Sequence, residues 1–269
     1  MAHEHLADLL DLDAEVLSDY HREVAEWVSA HLTQRARVID VGAGTGTGTL
    51  TLAGQLPDAE MIALDVDEEM LKHFRDKARA CGLAGRIRTL QADLDQAWPD
   101  GLKPADLVWA ANSLHHMADP AHAVTQIYRM LRPGGLLAVT ELESFPRFLT
   151  DPAGAALEER IHTAMARGRD EAGLHMHEDW PVRLAAAGFA LESERRFEIT
   201  LQPPPDSPMA ACVIRYAMVT FCRARHGLQD KLSAADIAEL DALAPALPAR
   251  DDLTVRTTRT VWLARKPAG

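Results

Sequence analysis

The feature that most constrains this chain is a run of glycines placed at the end of a short apolar strand. Arg37 to Val41 reads as that strand, and it runs into Gly42, Gly44, Gly46 and Gly48 with only Ala43, Thr45 and Thr47 between them. Glycines at such a junction let the main chain turn sharply and approach a ligand without a Cβ in the way. The dinucleotide fingerprint needs glycine at its first, third and sixth positions. Counted from Gly42 the sixth position is Thr47, and counted from Gly44 it is Thr49, so that pattern fails in both registers. The Gly-Lys-Ser/Thr ending of a phosphate-cradling loop is also missing. What stands here is an acid, Asp40, followed by glycine at every second residue.

Two further acids follow at the ends of the next strands. Asp65 closes the strand Met61–Asp65, where a carboxylate can accept both hydroxyls of a ribose. Asp93 follows the strand Ile87–Gln91, where it can accept an exocyclic adenine amine, and Val66 and Leu94 can lie against the faces of the base. A pocket of this kind suits a nucleoside with a polar tail and no phosphates. Structural roles compete with this reading, because glycines can serve a turn alone and strand-end acids can cap helices.

The rest of the chain supplies a rhythm. Strands at Ala105–Ala110 and Leu136–Glu141 alternate with helices at about 50–56, 67–81 and 121–131, which predicts a parallel sheet covered on both faces. Residues 1–33 read as two amphipathic helices, from near-helical spacing of Leu6, Leu10, Leu17, Val24 and Val28. Helices are expected near 155–166, 180–187, 209–226 and 233–243. A long strand carries Phe189, Leu191, Phe197, Ile199 and Leu201 at period two, and Pro203-Pro204-Pro205 breaks it. Leu253, Val255, Val261 and Leu263 mark a last strand, expected to run antiparallel to its neighbour.

With these pieces in order, the chain resembles the class I S-adenosylmethionine-dependent methyltransferases, in the style of their ubiquinone/menaquinone small-molecule branch. The carrying motifs are Asp40–Gly48, Ala63-Leu64-Asp65-Val66, Gln91-Ala92-Asp93, Leu107-Val108-Trp109-Ala110 and Leu131-Arg132-Pro133-Gly134-Gly135. The resemblance implies an α/β, doubly wound, mostly parallel seven-stranded Rossmann-like sheet with an antiparallel C-terminal strand. Helices at the amino terminus and helical insertions would form a lid. It implies one domain over residues 1–269. Within it, residues 1–33 are a helical flap and 37–141 a cofactor core. Residues 144–188 are a lid, and 189–266 hold the last strands with a helical insertion at 203–250. It also implies S-adenosyl-L-methionine as cofactor. Asp40 would face its amino end, Gly42, Gly44 and Gly46 would line the methionine moiety, and Asp65 would take the ribose. Asp93 would hold the adenine, Ala110 and Ala111 would present backbone groups, and Tyr20 or His21 would reach the carboxylate.

Methyl transfer from a sulfonium is governed by proximity and orientation, and an oxygen or nitrogen acceptor must also lose a proton, so a base helps. His115, His116 and Glu141 stand at strand ends bordering the expected crevice and are the candidate catalytic groups. His175 and His177 are candidate substrate contacts; no zinc-type ligand spacing accompanies them, and no metal is expected. The expected acceptor is a small, partly apolar molecule, methylated on oxygen, nitrogen or carbon. The alternatives are a nucleic-acid or protein methyltransferase, or a non-catalytic cofactor-binding partner. A net charge of −12 disfavours nucleic acid, and eight acids against one base within residues 1–33 concentrate much of it there. Three cysteines make no disulfide framework, and no signal peptide or membrane span is recognisable, so a cytoplasmic protein is expected. The apolar stripe of helix 209–226 suggests core packing, a pocket wall or a homodimer face.

Overall fold

The structure is a computed structural model, and it describes residues 2–96, 98–176 and 178–269. The elements follow the expected alternation. Helices α1 (Ala2–Val16) and α2 (Ser18–Ser29) precede β1 (Arg37–Val41), α3 (Thr47–Gln55), β2 (Glu60–Asp65), α4 (Glu68–Ala80), β3 (Ile87–Gln91) and β4 (Ala105–Ala111). A 3₁₀ turn, Leu114–His116, leads to α5 (Pro120–Met130), β5 (Leu131–Arg147), α6 (Pro152–Glu171), α7 (Trp180–Ala186) and β6 (Ala190–Leu201). Then come α8 (Pro208–Gly227), α9 (Ala234–Leu243) and β7 (Val255–Arg265). The sheet order is β3-β2-β1-β4-β5-β7-β6, with β1 parallel to β2 and β4, β2 to β3, and β4 to β5. Against β5, β7 runs antiparallel: Lys266 N–H donates to the Gly135 carbonyl and Thr254 N–H to the Phe148 carbonyl. The seven-stranded, doubly wound expectation therefore holds.

Two differences have plain causes. β5 begins at Leu131, directly at the end of α5, and runs through Pro133 to Arg147. A start at Leu136 was expected because Pro and Gly usually interrupt strands. Here Leu131 pairs with Ala105 across a register shift, and Gly134, in the left-handed region, donates its N–H to the Lys266 carbonyl. The helix after β5 is also longer than expected, because Asp151 caps it through the Gly154 N–H and Pro152 occupies its first turn.

By its contacts the chain divides into two compact units. One comprises residues 19–141, 174–196 and 260–269. Period two splits its strands between two faces. Ile39, Val41, Ile62, Leu64, Val108 and Val139 pack with Val124, Ile127, Trp180 and Leu184. Ala63 turns the other way, against Leu71, Phe74 and Ala78 of α4. The result is the two-sided cover that central parallel strands require.

The other unit comprises residues 1–18, 142–173 and 197–259. In it α8 contributes its expected stripe, Val213, Ala217 and Phe221, all buried, with Phe148 packed edge-on against Tyr216 and Phe221. The buried Tyr216 hydroxyl donates to Asp13 of α1 at 2.6 Å, and the buried Arg259 guanidinium donates to the same carboxylate at 2.5 Å. Tyr216→Phe removes one charge-assisted hydrogen bond and is expected to cost about 1.5–3 kcal/mol of stability, read by chemical denaturation. Cys81, Cys212 and Cys222 are free thiols. Among the described residues, no helix is long and apolar enough to cross a membrane.

Candidate functional site

The site is built where β1, β2 and β4 end, beside Thr140 and Glu141 of β5, within the unit of residues 19–141, 174–196 and 260–269. In open α/β sheets, ligands bind outside the carboxyl ends of the strands. The loop after β1 is held there by the protein itself. The N–H groups of Gly42 and Ala43 both donate to the Leu64 carbonyl at 2.9 Å, and the Gly44 N–H donates to Asp65 Oδ2 at 2.7 Å. Gly42 and Gly46 have φ of 69° and 82°, which side-chain-bearing residues rarely adopt. A Cβ on Gly42 would stand 2.4 Å from the Cβ of Ser113, and one on Gly46 would enter the Phe74 ring. Ser113 in turn donates to the Val41 carbonyl at 2.6 Å, so the ends of β1 and β4 are tied together.

Asp40 points away from the Ile39/Val41 face and meets the first turn of α3. Its carboxylate accepts from Thr49 Oγ1 at 2.6 Å and, among the described residues, has no cation beside it. Burial pushes its pKa up to about 7; the Thr49 hydrogen bond opposes the shift and the nearby Asp65 charge adds to it. A buried carboxylate with no positive partner is costly, and a ligand ammonium group relieves that cost. The residues present therefore fit a methionine-like amino end against this loop.

Asp65 spans two amides: Oδ2 takes Gly44 and Oδ1 takes Asp67 at 2.9 Å. Sequence reasoning assigned it to the ribose; in the fold it braces the glycine loop. Removing this brace is expected to loosen the loop, so Asp65→Ala should weaken S-adenosylmethionine binding by about 1.5–3 kcal/mol, measured by isothermal titration. An unchanged affinity would place the ribose elsewhere. Next to Asp65, Val66 is 60% exposed and offers an open apolar face. Leu94 is instead a core residue beside Ile62 and Leu64. Asp93 accepts from the Asp95 N–H and from Gln96 Nε2 at 2.7 Å. The Ala110 side chain lies in the core, and Tyr20 is buried on α2 with its ring edge-on to His21.

At the end of β4 the three catalytic candidates separate. His115 and Glu141 are both buried, and His115 Nδ1 lies 2.6 Å from Glu141 Oε2. The two residues are 26 apart in sequence and come together because β4 and β5 are adjacent and parallel, with Ala111 beside Thr140. His116 is exposed, its ring 4.1 Å from that of His115. Sequence reasoning missed the polar atoms around this pair. Asn112 Oδ1, Thr140 Oγ1 and Glu141 Oε1 are buried without a hydrogen-bond partner. Each such acceptor costs about 1–3 kcal/mol when left unmade, so together they favour a ligand that brings donors. Asn112 also has φ of 51°, and the position before Ser113 in an Asn-Ser pair was the one signal that could have flagged it. His175 donates its main-chain N–H to the His115 carbonyl at 2.9 Å. His177, the other expected substrate contact, lies outside the described residues. Among the described residues, no cluster of three or more His, Cys, Asp or Glu side chains could hold a metal ion.

Residues 38–135 match the methyltransferase domain family. The chain is similar to 27-O-demethylrifamycin SV methyltransferase of Amycolatopsis mediterranei, 28% identical over 186 residues, covering 68% of this chain and 65% of that protein. It is also similar to demethylmenaquinone methyltransferase of Thermus thermophilus, 38% identical over 112 residues, covering 41% of this chain and 49% of that one. The chain thus spans from about half to just under two thirds of the length of these relatives. Among solved structures, the BH2331 protein of Bacillus halodurans shares the fold, with a TM-score of 0.59 and 20% identity over 91% of this chain and 98% of that one.

Proposed function

We propose that this chain, which belongs to the class I S-adenosylmethionine-dependent methyltransferases, methylates a hydroxyl group of a small molecule, with His115 as the base. The buried His115–Glu141 pair, 2.6 Å apart, carries the hydroxyl assignment. Bound S-adenosylmethionine would supply a methyl group on a sulfonium, open to in-line displacement. The chain's own residues do the rest. Asp40 would face the ammonium of the cofactor, Asp65 its ribose, Asp93 its adenine amine and Val66 one face of the base, with Gly42, Gly44 and Gly46 giving the close approach. Glu141 accepts from His115 Nδ1, which fixes the tautomer and leaves Nε2 to take a proton from the acceptor hydroxyl. The carboxylate then stabilises the imidazolium formed. A carbon acid can use the same base, but the unpartnered oxygens of Asn112, Thr140 and Glu141 favour an acceptor that carries O–H or N–H donors.

The relatives bracket the choice, since one name specifies an O-methylation product class and the other a menaquinone precursor. A small acceptor also accords with the −12 net charge, which repels a phosphate backbone. The test is to incubate the full chain with S-adenosylmethionine carrying a ¹³C methyl group and a panel of hydroxylated macrocycles, phenols and quinols. The chemical environment of the labelled methyl is then read by NMR. An O-methyl product, lost in His115→Asn, supports the assignment; transfer to carbon or nitrogen overturns it.

A further inference from the structure

His115 is held from a second side, by a chain of side chains that the proposed chemistry does not use. The His175 N–H donates to the His115 carbonyl at 2.9 Å. The His175 ring does not float: its Nδ1 lies 3.0 Å from Glu178 Oε1. Glu178 is in turn gripped at both oxygens by Arg183 of α7, Nη2 to Oε1 at 2.7 Å and Nε to Oε2. The Arg183 hydrogen bonds hold the Glu178 carboxyl below the usual range, so the clamp is charged at neutral pH. Helix α7 is itself a fixed point, because Trp180 and Leu184 are buried in the same core cluster as Leu114, the neighbour of His115 in the 3₁₀ turn. Two His–Glu pairs thus stand on either side of one main-chain hydrogen bond. In the inner pair, Glu141 sets the ring of His115; in the outer pair, Glu178 sets residue 175, and residue 175 sets the backbone of His115.

We propose that Glu178 is a positioning residue of the methyl-transfer site, acting through His175 on the backbone of His115. A base works only within hydrogen-bond reach of the proton it removes, and a turn of three residues has little rigidity of its own. Bidentate contact with Arg183 gives Glu178 a fixed direction that a single contact would not. The inference rests on the reading of His115 as the base, but it concerns how that ring is held.

The test uses full-length protein labelled with ¹⁵N-histidine, with no acceptor needed. Imidazole nitrogen signals report which ring nitrogen carries the proton, and His115→Asn identifies the His115 set. In the wild type, His115 is expected to show a single protonated Nδ1 pattern. Glu178→Ala should collapse it into a tautomeric average and remove hydrogen-exchange protection at the His175 amide, and Glu178→Gln should restore much of both. Asp179→Ala is the control, since Asp179 caps α7 through the Val182 N–H and plays no part in the clamp. Unmoved His115 signals in Glu178→Ala overturn the proposal, as does an identical change in Asp179→Ala, which would make Glu178 merely structural. If Glu178→Ala does not fold, Arg183→Gln, which loosens the same carboxylate, must move the His115 signals or the proposal fails. Activity retained in His115→Asn would refute the base assignment and not this one, so the two failures are distinguishable.

Discussion

His115→Asn is expected to lower the rate of methyl transfer by about 10²–10⁴-fold, the usual contribution of a positioned general base. Asparagine keeps a donor near the Nδ1 position for Glu141 but cannot accept and hold a proton. The carboxylate therefore stays partnered, and binding of S-adenosylmethionine, measured by isothermal titration, should be unchanged. His115→Ala is a different experiment. It strands a carboxylate that is only 6% exposed, and loss of one partner of a buried charged pair typically costs about 3–5 kcal/mol of stability. A drop in activity seen only in the alanine variant, together with a drop in melting temperature, would indicate a structural pair. The full rate loss in a stable asparagine variant indicates a base. Glu141→Gln should fall between the two in rate, because it still orients the ring but no longer stabilises the imidazolium.

Asp40→Asn is expected to strengthen the fold of the free protein while weakening its hold on the cofactor. The Asp40 carboxyl ionises near 7 in the folded chain, against an ordinary value of 3.8, chiefly because it is buried. Between those two values the native state keeps a proton that the unfolded chain has lost, so stability falls as the pH rises through that window and levels off above it. At about 1.36 kcal/mol per unit, ionising Asp40 in place costs about 4 kcal/mol. Asparagine can still accept from Thr49 and never ionises. Its stabilising effect should be near zero at pH 4 and reach as much as about 4 kcal/mol at pH 8 by the same linkage, read by urea denaturation at the two pH values. Cofactor binding should move oppositely, weakening by about 1.5–3 kcal/mol where a charged hydrogen bond is lost. In the wild type, binding below pH 7 should release a proton, because an ammonium group favours the ionised carboxylate. A stability difference that does not vary with pH would show that Asp40 is not the titrating group.

These two sites differ in how far they could be read in advance. The neighbourhood of Asp40 is local: strand, glycine loop and helix α3 are consecutive, and period two alone turns Asp40 away from the Ile39/Val41 face. The turn that follows Asp40 through Gly42, Gly44 and Gly46 was legible for that reason. The burial of Leu94 in the cluster with Ile62 and Leu64 was not legible, because a single apolar residue after a strand carries no sign of which side of the chain it joins. The extent of β5 was misjudged for a related reason. Pro133 and the two glycines after it are breakers in isolation, and the pairing of Leu131 with Ala105 and hydrogen bonds to Lys266, just past β7 and more than a hundred residues away, keep the segment extended.

By itself, the sequence determined the doubly wound sheet, the glycine loop and the residue types at each strand end, because these rest on short-range periodicity and on backbone conformations that glycine alone adopts freely. It could nominate His115, His116 and Glu141 but not choose among them. The tertiary structure pairs two of them, since a hydrogen bond between residues 26 apart exists only once β4 and β5 lie side by side. Three oxygens near them are buried without donors, and the placement of His175, Glu178 and Arg183 brings a second glutamate to bear on the turn that carries His115.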